Sequence, residues 1–417
     1  MDTFFTWTAV FLHISENNLN KNMAAKMPRL VSFVNIASLL SAFIGLSGCS
    51  AYKVIVSNPL PLDRDGEMIE VSAKCSRDRH NIVTDQDGKQ VPYQITYNGK
   101  MIFQTTVKAN GKTIYKIHKG VRQNADTVCC GSFRADRMDD LMWENDKSGY
   151  RTYGPALQKS GERAYGYDVF TKSISRPVMK ERFDKALYGK PRINFHLDHG
   201  DGMDSYGVGP TLGCGATALM HLDTLVYPWC WTTYKILDNG PIRFTAQCTY
   251  SPITVEGKTV IEKRLISVDK GSILNKVIVN YDGLGTLSKQ CNIAVGIVIH
   301  PENPTAYRFD NSKGYIAYSD LGDRNVGKNG EIFCGAVRPS GFDNAGVKLF
   351  SKEELPTRNG AIGHVLGWNS FSKDYTYYFG SGWSKAGIQN LDTWEQMLKD
   401  FATKKNNPLQ VSVKHSF

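Results

Sequence analysis

The chain has 417 residues, 41% hydrophobic and 22% charged, with a formal net charge of +10. It is too apolar for a disordered chain and too charged for a polytopic membrane protein, while 38 Gly and 20 Tyr against 16 Pro favour strands and turns. Collagen, coiled-coil and low-complexity scaffolds are excluded.

Lys21, Lys26 and Arg29 precede an apolar run, Leu30 to Leu46, which ends Leu46-Ser-Gly-Cys49. A basic segment, a short apolar stretch and small residues before a cut describe a secretory signal. The Leu-Ser-Gly-Cys ending resembles a bacterial lipobox, in which the Cys is lipidated. At 17 residues the run sits at the short limit for crossing a bilayer as an anchor. The expectation is a signal peptide over 1–48 and an exported lipoprotein held to the membrane through Cys49, in the periplasm or at the outer-membrane surface. The leader contributes one net positive charge, which leaves +9 on 49–417. Dispersed positive charge on an exported protein suits an anionic glycan and makes nucleic acid the least expected partner. Eight cysteines follow Cys49 without a C-x-x-C pair, so buried free thiols are favoured over a zinc ribbon or a redox centre.

From 49 to 120 the chain reads as a small antiparallel β-domain. Lys53–Ser57, Met68–Ser72, Gln94–Tyr97 and Met101–Val107 alternate like strands, and Asp85–Gly88, Asn98-Gly99 and Asn110-Gly111 are turns. The rest, 121–417, reads as a large β-supersandwich. Ile242–Tyr250, Val260–Val268, Leu274–Tyr281 and Cys291–His300 are long successive strands, separated by Asp269–Ser272 and Asp282–Gly285. One helix is expected, about Asn390 to Lys404, where Leu391, Trp394, Met397, Leu398 and Phe401 keep helical spacing. A last strand, Leu409 to Val413, closes that domain.

Two polar clusters stand out. The first runs from Arg134 through Trp143-Glu144-Asn145-Asp146 to Arg151 and Tyr153. If Trp143 to Tyr153 is one strand, Glu144 and Asp146 share a face, and Trp143, Asn145, Arg151 and Tyr153 share the other. Paired carboxylates suit acid or base work, and Arg with Asn can clamp a substrate carboxylate. The bland alternative is an ion-pair network. The second cluster, His196-Leu-Asp198-His199-Gly-Asp201-Gly-Met-Asp204-Ser-Tyr206, reads as an exposed loop. It admits a divalent metal on His196, Asp198 and His199, although its spacing matches no standard metal motif. It equally admits metal-free catalysis, with a histidine as base and Tyr206 as proton donor. His300 ends an apolar strand before Pro301 and can point into a cleft. Trp229, Trp231, Trp368 and Trp383 are candidate sugar platforms, with burial the commoner fate.

Trp143-Glu-Asn-Asp146, Arg151-x-Tyr-Gly-Pro155, His196-x-Asp-His-Gly200, Asp204-x-Tyr206, Val208-Gly-Pro210 and Asn239-Gly-Pro-Ile-Arg243 resemble the signature blocks of the secreted bacterial domain-of-unknown-function family 4861. Asp201 departs from that pattern, in which Glu is expected. The resemblance implies a galactose-mutarotase-like supersandwich and a setting of pectin and uronate use. It supplies no established reaction.

The leading expectation is an enzyme that cleaves an acidic, pectic oligosaccharide by β-elimination. Arg134, Arg151 and Asn145 would neutralise the uronate, His196 or His199 would abstract the proton, and Tyr153 or Tyr206 would protonate the leaving oxygen. Trp143, Asp201 and His300 complete the candidate binding residues. The rivals are a glycoside hydrolase using Glu144, Asp146 and Asp201, a mutarotase-like epimerase of a sugar acid, and a lipoprotein that only binds glycan.

Overall fold

The structure, a computed structural model, describes residues 51–72, 80–322 and 328–416, all within one unit, Gly48–Phe417. The leader with Cys49, and Cys75, lie outside the described residues. The fold is mainly β, built from antiparallel sheets.

The N-terminal part is a small sandwich. One sheet runs Gln410–Ser416, Ala51–Ser57, Lys112–Lys119, Asn81–Thr84, Gln90–Val91, and the other Arg64–Val71, Met101–Val107, Tyr93–Ile95. Alternate residues Val54, Val56, Ile69, Val71, Phe103, Tyr115 and Ile117 fill the space between them. The final strand therefore does not close the large domain. It pairs along Ala51–Ser57, with Val54 opposite Val413. The small sandwich is fixed to the large one by Gln94, whose Oε1 accepts the N–H groups of Ile242 and Arg243 at 3.0 and 2.8 Å.

The large sandwich has three sheets. Its nine-stranded sheet is ordered Trp231–Asn239, Arg243–Tyr250, Lys258–Asp269, Leu274–Asp282, Tyr375–Trp383, Ile332–Val337, Tyr315–Asp320, Tyr307–Asp310, with Ile253–Val255 joined to Lys258–Asp269. Strict alternation along Lys258–Asp269 buries every second residue, as one covered face requires. A five-stranded sheet, with Cys214–His221, Cys291–Ile299 and Gly363–Ser370 at its centre, packs on the inner face. Gly215, at φ 87°, has no side chain to keep the two layers apart, since a Cβ there would lie 2.6 Å from Cβ of Phe379. Cys291–Ile299 is buried almost throughout and reads as a continuous apolar run rather than an alternating one.

The third sheet runs Gly202–Asp204, Asp168–Lys172, Ser148–Thr152, Asp140–Glu144, Cys130–Arg134. Trp143 to Tyr153 is thus a hairpin and not one strand. Asn145 sets the turn, because its Oδ1 accepts the N–H groups of Lys147 and Ser148 at 2.9 and 3.1 Å.

Among the described residues, three α-helices complete the fold. The late one, α3 (Leu391–Asn406), is capped by Asn390, which accepts the Thr393 N–H, and buries Trp394 and Leu398 on the outer face of the nine-stranded sheet. Burying such a side chain stabilises by about 2–3 kcal/mol. Two shorter helices were not expected. α1 (Pro155–Ser160) starts with Pro at a position that needs no N–H. α2 (Met179–Tyr188) buries only Met179, Arg182 and Phe183, too narrow an apolar stripe to show in a charged segment.

Candidate functional site

The first polar cluster is turned inward. Glu144 is buried, takes Lys172 Nζ at 2.6 Å, and accepts the N–H groups of Val178 and Met179 where α2 begins. Lys172 is itself fully buried, so the pair is a closed tie between the sheet and α2. Asn145 donates to the carbonyls of Asp269 and Ser272, both at 2.8 Å. Asp146 accepts the Gly271 N–H at 2.6 Å, and Trp143 donates to Asn275 at 2.8 Å within the core. Arg134 is held by Asp136 and Asp184. Arg151 lies among three carboxylates, Asp140 at 2.9 Å, Asp204 at 2.6 Å and Asp168, and Tyr153 donates to Asp168 at 2.7 Å. The ion-pair reading describes this cluster. Each side chain satisfies a partner whose desolvation would otherwise be costly.

The second cluster divides. His199 Nε2 meets the carbonyl of Asn194 at 2.9 Å, Asp198 accepts the Gly200 N–H at 2.9 Å, and Asp201 pairs with Arg182. His196, Asp198 and His199 do not converge, and among the described residues no group of three or more His, Cys, Asp or Glu is arranged to hold a metal ion. His196 is different. Its Nδ1 lies 2.5 Å from the carbonyl of Asp204, which fixes the ring at the edge of a cavity of about 580 Å³.

That cavity gathers His196, Tyr206 and His300. His300 follows the end of Cys291–Ile299 in the five-stranded sheet, and Asp320 ends Tyr315–Asp320 in the nine-stranded one. The two strand ends meet across the sandwich, with His300 Nδ1 2.6 Å from Asp320 Oδ2. Asp320 Oδ1 is occupied by the Gly322 N–H at 2.8 Å, and Tyr318 OH accepts the His300 N–H at 3.0 Å. Asp320 thereby orients the imidazole through Nδ1, while Tyr318 holds the His300 backbone. Gly207 passes over it, since a Cβ there would lie 3.4 Å from Cε1 and Nε2 of His300.

Tyr206 lies edge-on to His300, ring centroids 6.3 Å apart. Its hydroxyl is buried beside the Cys334 thiol and makes no conventional hydrogen bond. Burial first, then the nearby Cys334, Cys214 and Asp320, push the phenol well above its usual range, so it keeps its proton. Glu302, Arg358 and Asn359 complete the lining. Arg358 donates to the Pro210 carbonyl at 2.9 Å and to Glu354 at 2.8 Å, its guanidinium between the rings of Tyr227 and Phe350. Asp320, Glu302, Arg358 and Asn359 were not singled out in the sequence. Only Pro301, next to His300, hinted at a strand end that opens outward.

Fold and site together define a β-sandwich protein with a cavity lined by histidine, tyrosine and arginine at its strand ends. The chain belongs to the family described as Domain of unknown function (DUF4861), whose model matches residues 56–411. It is 27% identical over 363 residues to "Uncharacterized protein P7" of Formosa agariphila, covering 84% of this chain and 85% of that protein. Among solved structures it is similar to a glycosyl hydrolase family 38 protein from Enterococcus faecalis, with TM-score 0.44, 10% identity and 87% of this chain covered. An alpha-mannosidase from Enterococcus faecalis V583 gives TM-score 0.40, 8% identity and the same coverage. The chain spans 47% and 46% of those two proteins, and at such similarity the likeness bears on neither substrate nor reaction.

Proposed function

We propose that this protein cleaves an acidic, uronate-containing oligosaccharide by β-elimination at the His196–Tyr206–His300 cavity. The observation that carries the reading is the His300–Asp320 pair opening onto the same cavity as His196 and Arg358. Elimination needs the uronate carboxylate neutralised, a base at C5 and an acid for the leaving oxygen. Arg358 supplies the cation, with Asn359 beside it. His300 takes the C5 proton, and Asp320 stabilises the imidazolium that forms. The C4–O bond breaks, the His300 imidazolium returns that proton to the departing oxygen, and a C4–C5 double bond remains. His196, fixed by Asp204, is the second nitrogen at the substrate.

These roles replace the neutralising part first expected of Arg134, Asn145 and Arg151. The leader supports export with a lipid anchor at Cys49, which suits an enzyme meeting polymer fragments outside the cytoplasm. Pectic fragments fit the dispersed positive charge.

Incubation with oligogalacturonides tests the reading. A growing ultraviolet chromophore of the unsaturated product is expected, and His300→Gln should abolish it. New reducing ends without the chromophore would move the assignment to a hydrolase, for which Glu302 and Asp320 are the carboxylates at the cavity. Inversion of a sugar acid without cleavage would make it an epimerase, and binding without product a capture protein.

A further inference from the structure

Arg358 forms one wall of the cavity, and its other side begins a row of aromatic rings that the proposed reaction does not use. Its guanidinium lies 5.0 Å from the ring centre of Tyr227. Tyr227 lies 5.0 Å from Tyr165, inclined 31°, and Tyr165 lies edge-on to Trp229 at 6.4 Å. Arg163, exposed, holds its guanidinium 5.6 Å over the Trp229 ring. All three rings are half-buried, whereas Trp231 and Trp383 are core residues.

Trp229 is held there against its backbone preference. Its φ is 53°, a region that bulky residues avoid, at a cost of about 1–3 kcal/mol. The next residues explain why it persists: the Cys230 carbonyl accepts the Ser251 N–H at 3.0 Å, and the Trp231 N–H donates to Tyr153 at 3.1 Å. With Cys230 and Trp231 tied into the sandwich, the Trp229 ring is held half-buried against the core, and its buried indole N–H makes no hydrogen bond.

We propose that Tyr165, Tyr227 and Trp229, flanked by Arg163 and Arg358, form a second subsite that binds a further uronate ring of the same oligosaccharide. This rests on the reading of the cavity as a uronate site. The apolar face of a pyranose stacks on aromatic rings, and a guanidinium at each end of the row matches a carboxylate on each sugar. Continuity through Arg358 makes the occupant part of the chain held in the cavity, not a separate ligand.

The test uses the mature chain with digalacturonate and hexagalacturonate. Wild type should favour the hexamer. Trp229→Ala should raise KM for the hexamer about tenfold, the worth of one stacking contact, and leave kcat and the digalacturonate constants unchanged. Arg163→Gln, at an exposed position where the fold is indifferent, should raise the hexamer KM at low salt and less at high salt. Equal wild-type constants for the two lengths, or equal losses for both in Trp229→Ala, would overturn the subsite. If neither oligomer yields an unsaturated product, the elimination reading fails, and calorimetric binding of the two lengths then reads the subsite by itself. A hexamer-selective loss in Trp229→Ala supports it, and a loss indifferent to length overturns it.

Discussion

The carbonyl of Asp204 lies 2.5 Å from Nδ1 of His196, while the carboxylate of the same Asp204 takes Arg151 at 2.6 Å. One residue thus joins the cavity to the buried charge cluster behind it. Arg151 is not among the residues that line the cavity, yet it holds Asp204, whose carbonyl positions His196.

The His300–Asp320 pair gives the most direct expectation. Asp320→Asn keeps the shape but removes the charge that stabilises an imidazolium, and His300→Gln removes the base. Each should lower turnover of oligogalacturonides, the latter by about 10²–10⁴-fold, the usual worth of a general base. Wild-type turnover in His300→Gln would remove His300 from the mechanism.

Gly207 offers a test by shape alone. Its φ is not in the left-handed region, and an added methyl would rest at 3.4 Å from His300 in ordinary contact. Gly207→Ala should therefore leave stability within about 0.5 kcal/mol, as for most surface changes. It should still narrow the approach to Nε2 and raise KM. An unchanged KM measured alongside an unchanged melting temperature would place the substrate elsewhere.

Much of this fold could be read from the chain, because turn chemistry and alternation are local. Asn98-Gly99 does join Tyr93–Ile95 to Met101–Val107, and Asp269–Ser272 does separate two long strands. The site was legible only in part. His196, Tyr206 and His300 stood out by residue type, but Asp320 meets His300 only because two different sheets end at the same place. Glu144 and Arg151 drew attention by charge density, and density does not tell an open site from a closed one. Their partners Lys172, Asp168 and Asp204 come from other strands of the same sheet, which only the pairing reveals.

The buried aspartates should make stability depend on pH. Burial raises Asp204 to about 7 and Asp140 to about 6 from an ordinary 3.8, against the pull of Arg151. A carboxyl with a raised folded pKa binds its proton more tightly when folded. Its contribution is full below 3.8 and is lost as pH rises through about 7. His364 has the opposite sign: burial lowers it to about 3 from 6.5, so its contribution is full above 6.5 and is lost as pH falls toward 3. Above pH 6.5, therefore, His364 adds no slope and Asp204 does. Melting temperature should fall between pH 6.5 and about 8, and Asp204→Asn should flatten that fall. Identical slopes in the two proteins would remove the cluster as its source.

Glu144 and Arg151 provide the last test, because catalytic and structural roles predict different measurements. Glu144→Gln leaves the Lys172 ammonium buried without its counter-charge and weakens the acceptor at the start of α2. Breaking a buried pair from one side costs about 3–5 kcal/mol. Arg151→Ala should cost at least as much, since three carboxylates lose one cation, and Arg151→Lys should rescue little because an ammonium lacks the guanidinium fork. In each variant the melting temperature should drop well below that of wild type. The two should then part in turnover at a temperature where the protein remains folded. Glu144→Gln should keep wild-type kcat within a few-fold, as its side chain ties α2 to the sheet away from the cavity. Arg151→Lys should lose activity together with His196 placement, seen as a rise in KM for oligogalacturonides. A Glu144→Gln protein that melts like wild type but has lost its turnover would return Glu144 to the reaction.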